Sequence, residues 1–169
     1  ILSGADEARL IGRGILEDPT INDREDELCV ADLGGGSLGL LRVCQGKVET
    51  ATSLQLGTVR LTECYVKDPQ APLSIEAASA IRAHVQKTIA ESGIRLSPNL
   101  IGTGGVFTVW RSMDAQEKGL TLPEIAPELN RSQLQRWIKL MSEVSWEERL
   151  SIPGLPKSRA DIIPAGLVI

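Results

Sequence analysis

Asp32-Leu33-Gly34-Gly35-Gly36-Ser37 stands between two apolar runs, Leu28-Cys29-Val30-Ala31 and Leu38 to Val43. Each run reads as a short buried strand, so the glycines between them need a cause. Every glycine forfeits about 0.5–1 kcal/mol of conformational entropy relative to alanine. Close approach of the main chain to a ligand is one such cause. With no Cβ in the way, the N–H groups of Gly34, Gly35 and Gly36 can converge on an anion, and Ser37 Oγ adds a donor. A tight hairpin between two strands is the other cause, since it also calls for glycine. Asp32, a carboxylate suited to a hard cation beside a phosphate, favours the cradle.

Downstream the theme returns. Asn99-Leu100-Ile101-Gly102-Thr103-Gly104-Gly105 reads as a short strand, a glycine-rich turn and a helix from Val106 onward. Free N–H groups and the helix dipole make such a junction an anion site. Two loops of this kind in one chain can clamp a polyphosphate from two sides.

Between and around them the chain alternates strand and helix. Leu28 to Leu33, Leu38 to Val43 and Lys47 to Leu54 read as strands, the last two joined as a hairpin through Gln45-Gly46. Gly57 turns the chain into a helix that fades by Asp68-Pro69, with Arg60 near its start as either a ligand contact or a surface salt-bridge partner. Ser74 caps a helix from Ile75 to Ser92 whose buried stripe is Ile81, Val85 and Ile89, and Gly93 closes it. His84 flanks that stripe without an acidic or thiol partner at ligand spacing, which argues against chemistry there. Asn130 with Gln133 resembles a capping box before Leu134, Trp137, Ile138 and Met141, and Ser145 with Glu148 opens another helix. The segment from Lys157 to Ile163 begins a last helix, in which Arg159 and Asp161 either pair locally or face a cleft. Near the N-terminus, Ala5 to Ile11 is a run of helix formers in which Asp6 and Glu7 complement the helix dipole, and Glu17 to Glu27 is an acidic surface loop.

At 169 residues the chain can bury a real core. A net charge of −4 without a cluster of Lys or Arg argues against a nucleic-acid footprint, and one Phe, one Tyr and three Trp are too few for base-stacking platforms. The Trp residues read as core. Cys29, Cys44 and Cys64 are odd in number and carry no CxxC, so they read as buried free thiols of a reducing cytoplasm. No apolar run approaches the roughly 20 residues of a membrane span. The opening on Ile1 and the apolar close at Ala165 to Ile169 give the expectation of a piece of a longer protein.

Several segments in order resemble one family. Ser3-Gly4-x-x-Glu7-Ala8-Arg9-Leu10-Ile11, Asp32-x-Gly-Gly-Gly-Ser37, Gly57-x-Val-Arg60-Leu61 and Gly102-Thr103-Gly104-Gly105 are followed by Glu148-Arg149, Ile152-Pro153-Gly154-Leu155 and Arg159-Ala160-Asp161 to Gly166. The set is similar to the exopolyphosphatase/guanosine pentaphosphate phosphatase (Ppx/GppA) family over essentially the whole chain. That resemblance implies an α/β fold of the actin-like, sugar-kinase and Hsp70 type, ribonuclease H-like, with a mixed sheet flanked by helices. Residues 1–169 would be the C-terminal lobe of two, the N-terminal lobe supplying another phosphate loop. It also implies hydrolysis of inorganic polyphosphate or guanosine pentaphosphate with Mg²⁺, no membrane span, and a homodimer of the full-length protein. Carried over by residue, Glu7 matches the general base that deprotonates the attacking water, and Asp32 a Mg²⁺-linked carboxylate. Gly34, Gly35, Gly36 and Ser37, with Gly102, Thr103, Gly104 and Gly105, match the phosphate loops.

The chain departs from the family pattern where Asp-x-Gly-Gly-Gly-Ser is usually followed by Thr-Glu: here Leu38 and Gly39 stand. Val106 likewise stands where a Thr hydroxyl is common. Loss of the Glu removes an oxygen ligand, so the alternatives are a polyphosphate or alarmone sensor, or an isolated lobe without activity.

Overall fold

The computed structural model describes residues 4–18 and 27–169. Its centre is a four-stranded sheet in the order β3-β2-β1-β4, built from β1 (Glu27–Leu33), β2 (Leu38–Cys44), β3 (Lys47–Leu54) and β4 (Leu100–Thr103). The first three strands form an antiparallel meander, and β4 joins β1 in parallel with Asp32 opposite Thr103. The result is a mixed α/β sheet. Gln45 and Gly46 both have positive φ in the β2–β3 hairpin, the twist that a two-residue loop needs to match its strands.

Alternation along the strands sends side chains to two different cores. On one face Ala31, Leu33, Leu38 and Leu40 join the main core with helices α2 (Thr58–Tyr65), α3 (Ile75–Ser92), α4 (Gly105–Glu117), α5 (Arg131–Met141) and α7 (Ile163–Val168). On the other face Leu28, Val30, Leu41 and Val43 form a smaller patch, covered by Ile15 and Leu16 of α1 (Gly4–Leu16). Leu38 is thus a core residue, which explains why an apolar side chain is at home there. By the same alternation Asp32 and its cross-strand partner Gly39 belong to the α1 face.

The helix signals act as their chemistry requires. Ser74 Oγ accepts the Ala77 N–H at 3.1 Å, and Gly93 ends α3 in the left-handed region at φ 71°. Ser145 and Glu148 make both halves of a capping box at the start of α6 (Trp146–Leu150). Asn130 caps α5 differently: its side-chain oxygen takes the N–H and hydroxyl of Ser132, one residue short of the Gln133 that a box would use. The expected last helix also begins later. Lys157–Arg159 is a 3₁₀ turn, and the α-helix starts only at Ile163, with Pro164 in its first turn, where a missing N–H costs nothing.

Trp110 and Trp137 lie in the core, Trp137 with its Nε1 on buried Asp114 at 2.6 Å, and His84 packs against the Tyr65 ring. All three cysteines are free, but only Cys29 is buried; Cys64 is exposed on α2, which corrects the expectation of three buried thiols. Among the described residues no helix is long and apolar enough to cross a membrane.

Candidate functional site

The hairpin and the cradle are one object. Gly34 N–H donates to Ser37 O at 3.0 Å, closing a four-residue turn between β1 and β2. The carbonyls of the three glycines all serve α2. Gly34 O accepts from Thr58 N at 3.0 Å and Thr58 Oγ1 at 3.3 Å, Gly35 O from Val59 N at 2.9 Å and Arg60 N at 3.2 Å, and Gly36 O from Arg60 Nε at 3.1 Å. Helix α2 has Gly57 at its N-cap and no side-chain cap, so the loop supplies the acceptors that its first N–H groups need. In a trans peptide the N–H points opposite to the C=O. The amides of Gly35, Gly36 and Ser37 therefore turn away from α2, and Gly35 and Gly36 are exposed. Gly34 is different, because its own N–H is used within the turn. Arg60, left open between ligand contact and salt bridge, docks on the loop's outer carbonyl.

The second loop lies against the first. Gly104 caps α4 with φ 96°, and a Cβ there would fall 2.5 Å from Leu33 O, so only glycine permits the approach. Helix α4 also lacks a side-chain cap, leaving the amides of its first turn as donors. Gly102 and Thr103 have other partners. The ring of Phe107 occupies the space a Gly102 side chain would take, and Thr103 Oγ1 donates to Asp32 Oδ1 at 2.6 Å.

A cleft of about 520 Å³ joins these pieces. It gathers Asp32, Gly34 and Gly35 from the first loop, Gly104 and Gly105 from the second, Thr58 and Val59 at the start of α2, and Ser158 and Arg159 from the 3₁₀ turn. Gly36, Ser37, Gly102, Thr103 and Arg60 lie outside its lining. Arg159 answers the question its sequence position left open: it faces the cleft, with its guanidinium where a Cβ on Gly105 would sit. The signal for it was Gly105, a glycine in a helix's first turn, which implies a neighbour pressed against it. Thr58, Val59 and Ser158 carried no such signal. Glu7 lies on α1, and its side chain is outside the described residues.

As to a cation, Asp32 is the carboxylate that the cleft offers among its lining residues. Among the described residues no group of three or more His, Cys, Asp and Glu could hold a metal. One carboxylate fits Mg²⁺, which keeps several waters and binds through one or two carboxylates plus substrate phosphates. Thr103 fixes how Asp32 presents itself. Thr103→Val, near in shape but without the hydroxyl, should cost about 1.5 kcal/mol, the low end for a bond to a charged group because water reaches half-buried Asp32. Urea unfolding measures this, with Thr103→Ser recovering most of the loss.

Known proteins bear on this geometry in two ways. The family model described as the Ppx/GppA phosphatase family matches residues 1–169. Among solved structures, a Ppx/GppA family member from Aquifex aeolicus is 25% identical with a TM-score of 0.84, covering 99% of this chain and 54% of its own. A second structure of the Aquifex aeolicus PPX-GPPA enzyme reaches a TM-score of 0.85 at 25% identity, covering 99% of this chain and 55% of its own. An exopolyphosphatase from Cytophaga hutchinsonii, 25% identical, gives a TM-score of 0.77 over 98% of this chain and 54% of its own. The chain thus spans about half the length of these structures and has their actin-like ATPase fold. Matched by that family model from end to end, the chain belongs to the Ppx/GppA phosphatase family.

Proposed function

We propose that the full-length protein hydrolyses the terminal phosphoanhydride of inorganic polyphosphate or of guanosine pentaphosphate, and that residues 1–169 form one wall of its cleft. One observation carries this reading. Two glycine loops in direct contact turn main-chain donors outward around a cleft that also holds the Thr103-bonded carboxylate of Asp32 and the Arg159 guanidinium, the latter with no hydrogen bond or ion pair among the described residues. Phosphoryl transfer asks for little else from a protein: positioning, neutralisation of charge and a placed water.

In that scheme the outward amides of Gly35, Gly36 and Ser37 and the first turn of α4 bind phosphate oxygens, and Arg159 clamps the chain across them. Asp32, held by Thr103, would hold Mg²⁺, which supplies neutralisation of phosphate charge when bound. Glu7 orients the attacking water and takes its proton. It lies on a helix that packs on the same face of the sheet as Asp32.

The test is orthophosphate release by the full-length protein from both substrates, with and without Mg²⁺. Release that depends on Mg²⁺ is the expected result. Gly39 favours a second reading, a sensor that binds without turnover, because the residue directly across the strand pair from Asp32 has no carboxylate to offer. Binding without release, with Gly39→Glu restoring release, would establish the sensor. Brisk release by the unmodified protein would exclude it, and neither binding nor release would overturn both.

A further inference from the structure

Arg149 on α6 is completely buried, a placement that costs a guanidinium several kcal/mol of hydration. Burial pulls its pKa below the ordinary arginine value, and Asp161 and Asp68 offset this only at longer range. What it touches are carbonyls. Nη1 donates to Pro69 O at 2.8 Å and to Ala160 O at 3.3 Å, and Nη2 to Ala71 O at 2.7 Å. Its Nε has no partner among the described residues, and the ring of Trp146 lies 5.8 Å from the guanidinium carbon. A hydrocarbon would fill this space at lower cost, so the charge is there for what it fastens.

It fastens the loop after α2 to the residue that follows Arg159. Ala160 is itself fully buried, and Gly154, at φ 82°, lies against the α4 backbone at Ser112 and Met113. The root of Arg159 is therefore fixed on both sides. Its head is not: no hydrogen bond or ion pair holds the Arg159 guanidinium among the described residues, and it only rests against Gly105. Where that head points is set by the backbone from which it hangs. We propose that Arg149 is a positioning residue that aims Arg159 across the second glycine loop. This deepens the function proposed above and rests on Arg159 contacting phosphate.

The experiment is a double-mutant cycle in the full-length protein, reading the affinity for inorganic polyphosphate by calorimetry and folding by circular dichroism. Arg159→Ala should weaken binding about tenfold or more, the worth of a charge-assisted bond. Arg149→Lys, which keeps the charge but loses the planar fork, should weaken it several-fold in the wild-type background and not at all alongside Arg159→Ala. Ala160→Gly loosens the same root without touching the arginine; it should behave alike, and it decides the matter if Arg149→Lys does not fold. A loss that is the same in both backgrounds overturns the positioning role while leaving Arg159 as a phosphate ligand. Unchanged binding by Arg159→Ala alone overturns the reading of Arg159 itself.

Discussion

Gly57→Ala should unfold the loop–helix junction and abolish polyphosphate binding together. A Cβ at Gly57 would overlap the backbone of Gly35 and Gly36, and no rotamer change can relieve a backbone clash. The first loop would have to retreat by ~1 Å to reach ordinary contact distance. Doing so stretches the bonds from Thr58 N to Gly34 O and from Val59 N to Gly35 O. Overpacking of this kind costs on the order of 3 kcal/mol, roughly 6–12 °C in Tm for a chain of this length. Gly14→Ala is the informative contrast. An added Cβ there meets nothing within 4 Å on the exposed side of α1, so the same chemical change should raise stability by about 0.5–1 kcal/mol. Thermal unfolding of the two variants should move in opposite directions. Equal Tm values would mean that the junction yields and is not the rigid unit described.

Glu7→Gln in the full-length protein should lower turnover by about 10²–10⁴-fold, the usual range for removing a general base, with KM for polyphosphate little changed. The substitution keeps size and hydrogen-bonding capacity while removing the site that accepts the water's proton. Because α1 sits across the sheet's smaller core from the glycine loops' own helices, losing this carboxylate leaves the loops' amides in place. Steady-state phosphate release separates the cases. A fall in kcat alone supports the base, a rise in KM alone makes Glu7 a binding group, and undiminished turnover removes it from the mechanism.

Short-range features of this fold were readable from the residues because their causes are short-range. Short apolar runs marked the first two strands and the Gln45-Gly46 hairpin the third, and Ser74, Gly93 and the Ser145–Glu148 pair marked helix ends through bonds that span three or four residues. The strand at Leu100 could be seen, but its parallel seat beside β1 is set by contacts some seventy residues apart. That pairing decides the site: it brings Thr103 to Asp32 and Gly104 to Leu33. Thr103 read as a phosphate donor and turns out to spend its proton on Asp32, since nothing local distinguishes the two uses of a hydroxyl. Arg149 and Arg159 show the same limit. One arginine is fully buried and the other exposed, ten residues apart, and only the packing of α6 against the loop after α2 tells them apart. Lys157 to Arg159 misled for a different reason: good helix formers there are followed by Pro164, which lets the α-helix begin only after the turn.

The way the first glycine loop caps α2 has a consequence for how such a site can change. Its outward face and its inward face are opposite ends of the same peptide units, so a drift in one is a drift in the other. Retuning this pocket by altering the loop would be felt first as fraying of a neighbouring helix, and new specificities are more easily grafted at the rim, on side chains such as Ser158, than in the main chain that forms the floor.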